Sequence, residues 1–210
     1  MKTMLTTVLL VAAAAGAQAQ PEYSTSYAPG LSIQEGDPSG VSDVETFSLA
    51  DPGATMADLT VGLDITGGYN GDLCAYLKSP NGTLTVLMNQ PGVGVNNFGA
   101  AGAGMNITLS DQSENPIQNE TSSAVLSGLY EPANVLGTFD SSVADGTWTL
   151  FVADLGSGGG SPTLVSWSLN LDVNAAPTPE PAMWAEGLAG LGLLALARHR
   201  RLVRARAAGR

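Results

Sequence analysis

The chain has 210 residues, one histidine and one cysteine, and a net charge of −11 at neutral pH. That length accommodates one ordinary domain plus targeting segments, and one cysteine excludes an intramolecular disulfide. All six arginines follow residue 197, and of the 19 acids all but Glu180 and Glu186 lie before residue 179, where Lys2 and Lys78 are the only cations. A body this acidic repels nucleic acid and anionic lipid, so neither is expected as a partner; bound cations, cationic surfaces and neutral sugars remain compatible.

In chain order, Lys2 followed by the apolar run from Leu5 to Ala15 has the form of a secretory signal, residues 1–19. Ala17 and Ala19 put small residues at the two positions a signal peptidase reads, so cleavage before Gln20 is expected. Residues 20–43, rich in Gly, Pro, Ser and Tyr without a period, read as a linker or N-terminal arm. A β-domain is expected over residues 44–173. It opens with Phe47 and Leu49, then Leu59, Val61, Leu63 and Ile65 alternate with Thr60, Gly62, Asp64 and Thr66. That period of two places the first set against a core.

A hairpin follows, with Leu73, Ala75 and Leu77 inward on one strand and Leu84, Val86 and Met88 on the next. Ser79-Pro80-Asn81-Gly82 supplies the turn, proline fixing φ and glycine accepting the left-handed conformation. Cys74, inside the first of these strands, is expected to be buried and inert. Ile107 and Leu109 mark another strand. Trp148, Leu150 and Val152 share a face, as do Val165, Trp167, Leu169, Leu171 and Val173. Many short alternating strands separated by Gly- and Pro-rich turns make an all-β sandwich.

Four stretches, "ITGGYNGDL" (Ile65 to Leu73), "SPNGT" (Ser79 to Thr83), "GLYEPANVLGTF" (Gly128 to Phe139) and "GTWTLFVAD" with "TLVSWSLNL" (Gly146 to Leu171), together resemble the P domain, or Homo B domain, of kexin- and furin-like subtilisin proteases. The resemblance implies a jelly-roll sandwich of galactose-binding-like type. Gly67 stands where that family usually carries histidine.

Residues 174–178 read as a second linker. Beyond it, Pro179-Glu180-Pro181, an apolar run and Arg198, Arg200 and Arg201 resemble the PEP-CTERM sorting signal of Gram-negative bacteria, spanning residues 179–204. The resemblance implies an exosortase that cuts near Pro-Glu-Pro. Residues 182–197 would make a transmembrane helix of about 24 Å, short of the roughly 30 Å hydrocarbon core, with arginines on the cytoplasmic side. This fits transient residence in the inner membrane before release to the cell surface or matrix.

No catalytic residue is expected. The only histidine, His199, lies in the arginine cluster, so an exported serine has no histidine base. Lys78 and Ser79 adjoin on a strand, where neighbouring side chains face opposite ways. Zinc lacks His and paired Cys ligands in the body. The candidate metal is Ca2+, with oxygen ligands from Asn70 and Asp72 in "GYNGDL" and Asp111 and Glu114 in "LSDQSEN"; alternatively Asp72 and Asp111 cap turns through their own backbone. Two functions follow. One is a non-catalytic surface or matrix module that binds exopolysaccharide or serves structural display. The other is an accessory P domain assisting a secreted subtilisin-like serine endopeptidase in trans.

Overall fold

The computed structural model describes residues 22–174 together with Arg198. Ala17, Ala19, Pro179, Glu180, Pro181, Arg200 and Arg201 lie outside the described residues, as do the signal segment and the 175–178 part of the second linker. Arg198 is helical and exposed. Among the described residues no helix is long and apolar enough to cross a membrane.

Among the described residues ten strands form two sheets. They are β1 (Glu22–Tyr27), β2 (Leu31–Ser32), β3 (Asp37–Phe47), β4 (Thr55–Thr66), β5 (Leu73–Lys78), β6 (Leu84–Asn89), β7 (Gly104–Leu109), β8 (Leu126–Tyr130), β9 (Gly146–Asp154) and β10 (Thr163–Asn174). One sheet runs β1-β10-β4-β7-β8, with β2 also on β10; the other runs β3-β9-β5-β6. All pairings are antiparallel except β7 with β8. The inner faces meet as a sandwich, and the core takes the alternate positions expected: Leu59, Val61, Leu63 and Ile65 of β4, and Trp148, Leu150 and Val152 of β9 are buried. Each such side chain contributes about 1.5–3 kcal/mol on removal from water.

The two core tryptophans solve the problem of a polar atom in an apolar layer. Trp148 donates its indole N–H to the Ala144 carbonyl at 3.0 Å, and Phe139 meets its ring edge-on at 5.4 Å. Trp167 donates to the Asp43 carboxylate at 2.6 Å, beside the Tyr27 ring. Cys74 is buried in β5, as expected, and burial pushes its thiol pKa up.

Three expectations are corrected. Residues 22–42, expected as a linker, supply β1, β2 and most of β3, and β1 pairs with β10 continuously from Glu22↔Asp172 to Tyr27↔Trp167. The period of two is present there, with Tyr23, Thr25 and Tyr27 half-buried and Glu22, Ser24 and Ser26 exposed, but tyrosine and threonine carry it in place of aliphatic side chains. Backbone pairing along an open strand edge asks little of side-chain identity.

In β6, Leu84 is exposed and Val86 half-buried, while Thr85, Leu87 and Met88 are buried. A bulge between Ala75↔Met88 and Tyr76↔Val86 moves the inward face by one position. In β10 the shift between Leu164 and Ser166 likewise buries Leu164 in place of Val165. The turn between β5 and β6 is as expected. Gly82 sits at φ +90°, and its N–H closes on the Ser79 carbonyl at 2.9 Å.

Candidate functional site

Three loops that are distant in sequence converge at one end of the sandwich: residues 67–72 ahead of β5, the turn at 96–99, and residues 155–160 between β9 and β10. The Leu155 N–H donates to the Asp72 carbonyl at 2.8 Å and the Gly71 N–H to the Ala100 carbonyl at 2.9 Å, so backbone bonds hold the three together. Between them lies an open hollow of about 250 Å3 lined by Tyr69, Asp72, Phe98, Ser157, Gly158 and Gly159.

Phe98 is 78% exposed. Its position is nevertheless fixed, because the Asn96 carboxamide oxygen accepts the N–H groups of Phe98 at 2.8 Å and Gly99 at 2.7 Å. The Asn96 amide in turn donates to the Gly99 carbonyl at 3.2 Å. An exposed aromatic ring on so constrained a turn is a feature for which packing gives no reason.

The acids of this end share one electrostatic environment. Glu35 accepts N–H bonds from Gly158 and, at 3.1 Å, from Gly160, and these donors hold its carboxyl below the ordinary value. Burial, then the nearby Asp154 and Glu35 charges, push Asp72 up. Asp154 ends the core face of β9 that carries Trp148, Leu150 and Val152, and it is 1% exposed. Burial foremost, with Glu35 adding, pushes it up against the opposing bonds from Gly156 and Gly36.

The four sequence-level metal candidates do not come together. Asn70 is fully buried and clamps Gly104: its amide donates to the Gly104 carbonyl at 2.9 Å, and its oxygen accepts the Gly104 N–H at 3.1 Å. Asp111 accepts the N–H groups of Leu136 at 2.8 Å and Gly137 at 2.7 Å, one on each oxygen, at the start of the 3-10 turn Leu136–Phe139. Glu114 is exposed. Asp72 alone lies at the hollow. Among the described residues no group of three or more His, Cys, Asp or Glu side chains is arranged to hold a metal.

The Ser79 hydroxyl is within hydrogen-bond distance of the Asn81 carboxamide oxygen at 2.6 Å and the Thr83 carbonyl at 3.2 Å, inside its own turn. Its partners are turn atoms, not a general base. Sequence reasoning missed Tyr69, Phe98, Glu35 and Asp154. The signal available for Asp154 was the inward alternation of β9, which continues past Val152 to place an acid at a core position.

A family model described as the proprotein convertase P-domain matches residues 56–171. No curated protein matches the chain. Among solved structures, the chain is similar to a serine protease of Aeromonas sobria, at 17% identity and a TM-score of 0.44, covering 77% of this chain and 28% of that one. It is also similar to the Aeromonas sobria serine protease in complex with its chaperone ORF2, at 16% identity and a TM-score of 0.43, covering 74% and 28%. The chain thus spans well under a third of the length of these structures.

Proposed function

Because the chain belongs to the proprotein convertase P-domain family, a non-catalytic domain of subtilisin-like proteases, we propose that it is an exported binding module whose ligand is a neutral or amino-sugar polysaccharide of the extracellular matrix. The observation that carries this reading is the hollow that Tyr69, Phe98 and Asp72 line together. Aromatic faces stack on the apolar C–H face of a sugar ring, while a carboxylate and backbone groups orient its hydroxyls. At about 250 Å3 the hollow suits one sugar unit of a chain. The charge of −11 disfavours a polyanion. A second hollow on the outer face of the β1-β10-β4 sheet, lined by Ser26, Asp64, Asn106 and Ser168 among others, offers no exposed aromatic face.

In this proposal the sandwich is a jelly roll of galactose-binding-like type, exported through signal peptidase and sorted by an exosortase acting at residues 179–181. Asp154, sealed from solvent, reaches no bond of a ligand in the hollow, so a carboxylate pair for glycoside hydrolysis is not part of the reading. A glycan array probed with the full-length chain tests it: binding to matrix polysaccharide that Phe98→Ala weakens at least tenfold supports the proposal, and binding to none of them refutes it.

The family itself favours a second reading, an accessory domain that assists a secreted subtilisin-like protease in trans. The pure chain should then be inert toward peptides and should change the activity or half-life of proteases secreted by the same cell. Hydrolysis by the pure chain would contradict both readings.

A further inference from the structure

Asp154 is a carboxylate in an apolar stripe. It follows Trp148, Leu150 and Val152 on the inward face of β9; Oδ1 accepts the Gly156 N–H at 3.1 Å, the Gly36 N–H approaches the carboxylate without closing a hydrogen bond of normal geometry, and buried Oδ2 has no hydrogen-bond partner. A buried carboxylate left half-satisfied is costly, and such groups are normally paired with a cation or hydrogen-bonded on both oxygens. The neighbours are of the wrong sign. Asp72 packs against the same Gly156, where an added Cβ would overlap its carboxylate, and Glu35 contributes a further negative charge. Lys78, the only lysine of residues 22–174, pairs with Thr149 at the far end of β5, five residues or about 17 Å from the Leu73↔Asp154 pair.

We propose that Asp72 and Asp154 hold a hard divalent cation, Ca2+ by their oxygen chemistry, between β9 and the loop ahead of β5. The ion gives the orphaned Oδ2 its partner and neutralises two neighbouring carboxylates that each raise the other's cost of ionisation. Asp72 is half-exposed at the hollow and provides the entrance; backbone carbonyls and water complete the roughly six to eight oxygens that Ca2+ takes. Glu35 does not ligate the ion, since the N–H groups of Gly158 and Gly160 already hold its carboxylate. Two carboxylates place the affinity near the weak end found for extracellular modules, about 10⁻⁴–10⁻³ M. Asn70, Asp111 and Glu114 take no part. The site stands regardless of what the hollow binds.

The test is a melting experiment on the full-length chain, stripped with chelator and then titrated with calcium chloride. At about 10 mM, some tenfold above the weaker end of that range, the melting temperature should rise by about 4 °C. Asp154→Asn and Asp72→Asn should each abolish the rise, whereas Phe98→Ala, beside the site but without a ligand atom, should keep it. Absence of any rise in the unaltered chain would overturn the proposal, and would leave a proton shared between the two carboxylates as what neutralises them. A rise that survives both asparagine variants would overturn it equally.

Discussion

Asn70 is the residue at which a structural role and a ligand role lead to opposite outcomes. Its carboxamide makes a reciprocal pair with the Gly104 backbone, 2.9 Å from amide to carbonyl and 3.1 Å from N–H to oxygen, in a site with no exposure. Asn70→Ala leaves both Gly104 groups buried without that partner. Each orphaned polar group costs about 1–3 kcal/mol, so a loss of about 3–5 kcal/mol is expected. For a domain of this size that corresponds to a fall of roughly 10 °C in melting temperature. Asn70→Asp keeps the shape but sets a carboxylate oxygen against the Gly104 carbonyl, and should cost at least as much. Urea unfolding followed by tryptophan fluorescence, with and without calcium, reads both variants. A cost below about 1 kcal/mol for Asn70→Ala, or recovery of Asn70→Asp stability by calcium, would contradict the clamp role, since an added acid in a true ligand position would strengthen binding of the ion.

Asp111→Ala removes two backbone bonds at the start of Leu136–Phe139 and should cost about 1–2 kcal/mol by the same unfolding measurement. Gly156→Ala drives a Cβ into the Asp72 carboxylate and should lower stability by about 1–3 kcal/mol while removing the calcium response; a full response would show that Asp72 is not a ligand. Glu35 has its carboxyl held below the ordinary value of 4.5 by glycine N–H groups, so its stabilisation is fully present above that pH and lost as pH falls through the depressed value. The melting-temperature gap between the unaltered chain and Glu35→Gln should therefore be open at pH 7 and close on acidification. A gap that widens toward acid would contradict the bonding seen.

Where strands carry apolar side chains on a period of two, the sequence was a sufficient guide, as the burial of Leu59, Val61, Leu63 and Ile65 on β4 and of Trp148, Leu150 and Val152 on β9 attests. Bulges were not legible. Whether Leu164 or Val165 faces inward depends on a register shift against β4, which is a property of the pair and not of β10 alone. The N-terminal strands escaped notice because Tyr and Thr carry their alternation and because their stability comes from the edges of β10 and β9.

The site was legible only in part, because Asn and Asp in Gly-rich turns look the same whether they ligate an ion, cap a turn or clamp a strand. Asp72 and Asn70 stand two residues apart, yet one carboxylate reaches the hollow and the other side chain is consumed by Gly104. Tyr69, Phe98 and Gly159 meet only once the sheets have formed, so nothing local in the sequence joins them.

The reading of this domain as a binding module turns on one measurement: backbone amide shifts of the isotope-labelled full-length chain, recorded as a matrix oligosaccharide is added. Shifts clustered at Tyr69, Phe98, Ser157, Gly158 and Gly159 are expected, with the face around Ser26, Asp64 and Ser168 unmoved. Shifts confined to that outer face, or none with any matrix oligosaccharide, would contradict the assignment of the ligand seat to the loop end of the sandwich.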